Sequence, residues 1–414
     1  MYKYILCIVF SGFFSGYGRA APVQMGVDVF LNGYTQTVKG LRVGLLTNKT
    51  ARTANGDFVA DVFIRHPDVN LVALFALEHG IDGKINAGKK VDDSHYKNLP
   101  VYSLYVPGDH QSREALKNEI DVLIYDMQDV GSRSYTYVWS LAKVMAVAAL
   151  YEKRVIVLDR PNPLGGLTVD GPVTEEKWFS LIGLYPVPRV YGMTVGELAQ
   201  YINEEPQYAH EEHGINCALT VIPMAGYRRN MAWEDVGHDW IITSPNIPTP
   251  ASAVCFAATG TIGNLWTLRI GIGTETPFQY VGAPWINAEL SARELNLMRL
   301  PGVRFRPMAY VAEKGSLKGQ KVQAVFLDVV DATRFQPTRT EISILAHLLK
   351  HYPKQVIFKK EKYDSFDKAM GTSFVREALM RGDEPRLIWS RWHREVMHFS
   401  IKRQKYLLYR SGEK

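Results

Sequence analysis

Several marks of cofactor chemistry are missing from this chain of 414 residues. No Gly-x-Gly-x-x-Gly follows the first candidate strand, which argues against a dinucleotide cofactor. No glycine-rich loop ends in Lys-Ser or Lys-Thr to cradle phosphates, since GIGTETPF (271–278) lacks the lysine and the strand–loop–helix setting. No Gly-x-Ser-x-Gly supplies a nucleophile elbow. Cysteine is scarce as well. Of the three, Cys7 lies in the N-terminal apolar segment, and Cys217 and Cys255 are too few to bind zinc by themselves. They read as buried thiols.

Charge of one sign is in short supply. A net charge of +6 spread over this length is too mild for a nucleic-acid partner. The densest basic stretch, IKRQKYLLYRSGEK (401–414), reads as a solvated end. Long hydrophobic runs are also absent. The N-terminal MYKYILCIVFSGFFSGYGRA has a positive start, an apolar core of about 12 residues and small residues at its end, the pattern of a cleaved signal peptide. That core is too short to span a bilayer, so residues 1–20 imply export, periplasmic or secreted, with no stable membrane insertion after cleavage. No repeat or low-complexity segment appears. The sequence does not fix an oligomeric state.

What is present is an alternation. LRVGLLT (41–47), NLVALFAL (70–77), DVLIYD (121–126), RVIVLD (154–159) and ALTVIP (218–223) read as strands. Between them GDFVADVFIRH, SREALKNE, SYTYVWSLAKVMAVAALYEK and TVGELAQYINEE have helical spacing, the last opened by a Thr194/Glu197 capping box. Continuous apolar strands separated by amphipathic helices predict an α/β fold, a Rossmann-like parallel sheet with helices on both faces. After SPNIPTPAS (244–252) the order becomes irregular, with strands at LRIGIGT and KVQAVFLDVV and helices at RTEISILAHLLKHY and SFDKAMGTSFVREALMRG. This predicts a Rossmann-like catalytic domain over 21–248 and a smaller α+β C-terminal domain over 249–414.

In open parallel sheets ligands bind beyond the carboxyl ends of the strands. Here those ends deliver Asn48 and Lys49, then Glu78-His79-Gly80, then Asp126, Gln128, Asp129 and Arg133, then Asp159, Arg160 and Asn162. An aspartate after a strand commonly caps a helix or closes a turn, and Asp126, Asp129 and Asp159 are each as well explained that way. Glu78 is harder to dismiss, because glutamate is a poor turn residue and a poor cap. His210-Glu211-Glu212-His213 spaces two histidines by three, but in a polar loop, and no metal site is expected there. The remainder is a cofactor-free, metal-independent rim of carboxylates, amides, cations and aromatics, with Tyr135, Tyr137 and Trp139 following the third strand. Such a rim suits a carbohydrate. Glycoside hydrolysis uses a protonated carboxyl for the leaving oxygen, and a second carboxylate or the substrate's acetamido group at the anomeric centre.

The motifs EHGIDGKINAGKKVDD, YDMQDVGSRSYTY, LDRPNPLGG, DGPVTEEKWFSLIGLYPVP, YGMTVGELAQYIN, SPNIPTP, GTETPFQYVGAPW and LPGVRFRPM occur in this order over about residues 25–385. In them the chain resembles the exo-β-N-acetylmuramidase family. The resemblance implies a Rossmann-like N-terminal domain bearing the active site and a C-terminal domain that helps to close it. The implied reaction removes terminal N-acetylmuramic acid from the non-reducing end of peptidoglycan fragments. Glu78 in the Glu-His-Gly motif takes the acid/base role, with Asp126 and Asp129 as further catalytic candidates. Asn48, His79, Gln128, Arg133, Tyr135, Asp159, Arg160, Asn162 and Asn246 are the candidate substrate-binding residues, and Arg133 and Arg160 suit the lactyl carboxylate of muramic acid. The likeness departs from the family at residues 262–272. Two alternatives therefore stand beside it: a non-catalytic binder of cell-wall sugars, and a hydrolase of a different acidic amino sugar.

Overall fold

The computed structural model describes residues 21–412 apart from 86–88, 90, 105–109, 207–212, 314 and 356. The 1–20 segment, with Cys7, and most of the His210–His213 motif lie outside the described residues. The strands are β1 (Arg42–Thr47), β2 (Asn70–Ala76), β3 (Ser94–Tyr96), β4 (Leu99–Ser103), β5 (Val122–Asp126), β6 (Arg154–Leu158), β7 (Asp170–Val173), β8 (Pro188–Val190), β9 (Ala218–Ile222), β10 (Tyr280–Ala283), β11 (Val303–Val311) and β12 (Lys321–Val329). The central sheet has the order β3-β4-β2-β1-β5-β6-β9, parallel except for the edge strand β3. The five strands read from the sequence are four of its five interior strands and the edge strand β9. The short β3–β4 hairpin escapes a reading by apolar runs, because its strands are only three and five residues long and β3 is polar and largely exposed.

Side chains on β5 alternate between the two faces. Val122 and Ile124 enter a core with Phe30, Phe63 and Met224, whereas Leu123 and Tyr125 enter one with Trp139, Val144 and Leu198. Both faces are thus covered, and each fully buried aliphatic or aromatic side chain contributes about 1.5–3 kcal/mol. The second core continues without a break into the C-terminal region through Ala253, Ile344 and Phe366. There a three-stranded sheet, β10-β12-β11, packs with helices Ala288–Leu297 and Pro337–His351. Thr194 and Glu197 form the expected capping box. Cys217 and Cys255 are free, buried thiols. No helix among the described residues is long and apolar enough to cross a membrane.

Three expectations are corrected. LRIGIGT is not a strand: only Arg269 makes a bridge, to Gly282, because Gly271 and Gly273 turn the backbone left-handed. The helical stretch 365–382 belongs to two helices, Tyr363–Met370 and Phe374–Arg381, divided at Gly371 with φ of 76°. The basic tail is not a solvated end. Arg403, Tyr406 and Tyr409 are buried. Arg403 donates to the carbonyls of Tyr191 and Gly192, and the Tyr409 hydroxyl donates to Asp159 Oδ2 at 2.5 Å. The chain's last turn therefore straps the C-terminal region to the Rossmann-like sheet.

Candidate active site

The chain leaves β1 for β2 and β4 on one side of the sheet, then returns to β5, β6 and β9 on the other. The order reverses at β1, so a crevice opens beyond the carboxyl ends of β1, β2 and β5. Thr47 and Asp126 are register partners at this point. Glu78 stands two residues past the end of β2.

Glu78 is only 8% exposed, and its Oε2 accepts a hydrogen bond from Thr136 Oγ1 at 2.7 Å. Thr136 precedes helix Tyr137–Leu150, so the loop and helix after β5 hold the carboxylate carried by β2. His79 next to it has φ of 73°, an unusual backbone for a residue with a side chain. Its Nδ1 lies 2.6 Å from the carbonyl of Ile85. A carbonyl only accepts, so Nδ1 carries the proton, and Nε2 is the nitrogen left for other partners. The His79 ring meets Tyr137 edge-on at 6.5 Å. From there an aromatic series runs through Tyr135 (4.7 Å) and Phe256 (6.2 Å) to Phe278 (5.1 Å), tying the GTETPF loop of the C-terminal region to the crevice.

Polar bonds fix the rest of the wall. Asn48 Nδ2 donates to the Tyr137 hydroxyl at 3.0 Å, and both Tyr135 and Tyr137 donate to the carbonyl of Thr243. Thr50 donates to Asn48 Oδ1 and receives the amide of Gln128. Gln128 Nε2 bridges the carbonyls of Asp129 and Pro161, leaving its Oε1 unpartnered. Burial, assisted by the Glu78 and Asp129 carboxylates, holds the Tyr137 phenol above its ordinary range. Asn246 is half-buried on the segment that carries Thr243.

Asp129 is fully enclosed. Its Oδ1 accepts from the Gly131 amide at 2.8 Å and the Tyr191 hydroxyl at 3.3 Å, while Oδ2 has no partner. Burial raises its pKa to about 6 against those donors. It borders a cavity of about 10 Å³, room for a single water, together with Arg160, Asn162 and Tyr191. Gly131 is required beside it: with φ of 77°, an added Cβ would fall 1.9 Å from Asn162 Oδ1.

The other strand-end charges face inward. Asp126 and Arg160 form a two-pronged buried pair, Nε to Oδ1 at 2.5 Å and Nη2 to Oδ2 at 2.9 Å. In the fold these two candidate residues therefore face each other, and Arg160 also borders the small cavity beside Asp129. Arg133 is completely buried. Its guanidinium donates to the carbonyls of Pro172, Val187, Ala369 and Met370, which staples the β7–β8 hairpin to helix Tyr363–Met370. It is therefore not at the rim. Asp159 accepts from Arg160 N, Gly196 N, Thr194 Oγ1 and the Tyr409 hydroxyl. Asn162 Nδ2 donates to Met193 O, and its Oδ1 accepts the Leu164 amide. Both organise the loops beyond β6. Trp139 is core, its indole donating to Arg133 O.

Two residues outside the candidate set also belong to the crevice, Thr136 and Lys49. Lys49 comes two residues after the end of β1. Its amide donates to Ile81 O, and its side chain lies so close to Gly83 that an added Cβ would meet Lys49 Cε at 2.5 Å. Its half-buried ammonium thus rests on the loop that follows Glu78, near Asp82. Its position at a strand end was signal enough to include it, whereas nothing local marks Thr136.

A doubly wound sheet with a sheltered glutamate at its switch point, walled by tyrosines and amides, defines an α/β site suited to a polar, ring-shaped ligand. Comparison with known proteins narrows this. Residues 43–251 and 254–409 match the two family profiles described as exo-beta-N-acetylmuramidase NamZ, N-terminal and C-terminal. The chain belongs to the exo-β-N-acetylmuramidase NamZ family. It is 36% identical over 393 residues to the peptidoglycan beta-N-acetylmuramidase NamZ of Bacillus subtilis (strain 168), covering 94% of this chain and 92% of that protein. Two crystal structures of DUF1343 family proteins from Bacteroides fragilis NCTC 9343 share the fold. One has a TM-score of 0.87 at 35% identity, covering 94% of this chain and 99% of the other. The second has a TM-score of 0.70 at 25% identity, with 95% and 100% covered.

Proposed function

We propose that this chain is an exported, metal-independent exo-glycosidase that releases terminal N-acetylmuramic acid from the non-reducing end of peptidoglycan fragments, with Glu78 as the general acid. The observation that carries the reading is the placement of Glu78: a nearly buried carboxyl at a switch-point crevice, fixed by Thr136 and flanked by the His79 and Tyr137 rings. It is supported by a relative, named for this activity, that spans almost the whole chain.

In this reading Glu78 protonates the leaving glycosidic oxygen, and His79 Nε2 and the tyrosine-lined wall bind sugar hydroxyls. Asp129 is the second carboxylate. It makes no ion pair with a cation among the described residues and its Oδ2 is closed to solvent, so it adds negative potential to the crevice without touching the sugar. Attack at the anomeric carbon then falls to the acetamido oxygen of the substrate. With Arg133 and Arg160 engaged elsewhere, Lys49 supplies the cation for the lactyl carboxylate. The export signal is residues 1–20.

Two disaccharides test this, one ending in N-acetylmuramic acid and one in N-acetylglucosamine. Release of the terminal sugar from the first alone, unchanged by a chelator, is expected. Equal release from both, or from neither, would contradict the reading.

A further inference from the structure

Outside the crevice, the C-terminal region brings together three metal-ligating side chains on two helices. His347 and His351, the ends of HLLKH, are spaced i and i+4 on helix Pro337–His351 and so share one face. Glu294 reaches them from helix Ala288–Leu297. Its Oε2 lies 2.7 Å from His351 Nε2 and 3.5 Å from His347 Nδ1, and one ligand atom from each residue falls within 4.8 Å of the others. Two imidazole nitrogens therefore converge on a single carboxylate oxygen.

From this juxtaposition we propose that Glu294, His347 and His351 form a binding site for a divalent zinc-type cation that joins the two helices. Tetrahedral zinc with bonds of about 2.0–2.1 Å separates its ligand atoms by about 3.3 Å, and the two observed nitrogen–oxygen distances bracket that span. Nitrogen donors select this class over magnesium or calcium, which take oxygen ligands. The surroundings fit as well. His347 Nε2 lies 2.9 Å from Ser291 Oγ, one turn before Glu294 on the same helix face. When that nitrogen donates its proton to the hydroxyl, Nδ1 presents its lone pair toward Glu294, as the outer bonds of metal-binding histidines commonly arrange. His347 is buried, whereas Glu294 and His351 are partly exposed, so the fourth position opens on the solvent side. Without a cation the same atoms are held by an ordinary His351–Glu294 hydrogen bond, which is the alternative the test must separate.

Chelator-treated full-length protein, free of any affinity tag, is titrated with zinc by calorimetry near neutral pH, and its Tm is followed with and without the metal. One saturable zinc per chain and a raised Tm are expected. Glu294→Gln and His351→Gln, both at partly exposed positions, should each weaken binding at least about tenfold. Ser291→Ala, which keeps all three ligands, should weaken it about tenfold. Absence of saturable binding by folded wild type overturns the site. So does stoichiometric binding that survives Glu294→Gln and His351→Gln unchanged. Muramic acid release is expected to be indifferent to the chelator, which separates this site from the crevice.

Discussion

Arg160 and Asp126, 34 residues apart, close on each other through two parallel hydrogen bonds with both side chains almost wholly buried. The pair ties the ends of β5 and β6 together beneath the crevice. Removing one partner leaves an uncompensated buried charge, so Arg160→Met or Asp126→Leu should each destabilise the protein by about 3–5 kcal/mol. Urea unfolding measures this. The double variant should lose less than the sum of the single changes.

Tyr409 adds a second tie. Its hydroxyl donates to Asp159 and accepts the amide of Met224, linking the C-terminal tail to the loop after β6 and the segment just past β9. Tyr409→Phe leaves both partners short of a bond inside the protein and should cost about 1–3 kcal/mol in unfolding free energy. A change within a few tenths would show the tail to be decoration.

Asp129 makes stability depend on pH. Its pKa is raised from an ordinary 3.8 to about 6 by burial, so the folded protein holds this proton more tightly than the unfolded chain does. Its contribution to stability is full below about pH 4 and is lost as pH rises through about 6, a difference of up to about 3 kcal/mol. Asp129→Asn keeps the acceptor for Gly131 and removes the charge. The variant should therefore gain on wild type above about pH 7, and the gap should narrow on acidification. A gap independent of pH would place the charge elsewhere.

Lys49 is tested through specificity. Lys49→Met should raise KM for a muramic-acid-terminated substrate about tenfold or more and leave kcat less affected, because loss of uniform binding acts on KM. Full-rate, unchanged-KM turnover by the variant would remove Lys49 as the lactyl-binding cation.

The strands are legible because a sheet covered on both faces imposes unbroken apolar runs such as VALFAL and VLIY. Their order is not, since β1 pairs with β5 across 79 residues. The polar residues at the carboxyl end of each strand locate the crevice, but a charge facing a ligand and a charge facing another charge look alike in one dimension. Asp126 and Arg160 satisfy each other, and Arg133 satisfies carbonyls as far away as Met370, 237 residues on. The tail misleads for a related reason: its lysines and arginines mask the buried Tyr406 and Tyr409 between them. Glu78 stands out because its residue type fits no local structural role, and in the fold it remains the carboxyl at the crevice with a side-chain hydroxyl to orient it.

The central claim rests on that carboxyl. Glu78→Gln retains the acceptor for Thr136 and removes only the acidic proton, so the fold and ligand binding should persist. Sugar release from a muramic-acid-terminated disaccharide is measured for wild type and variant, with binding of the disaccharide followed in parallel. Wild-type release with at least about a hundredfold loss in the variant, at retained binding, is the result expected for a general acid. Comparable release by both proteins would contradict the assignment of Glu78.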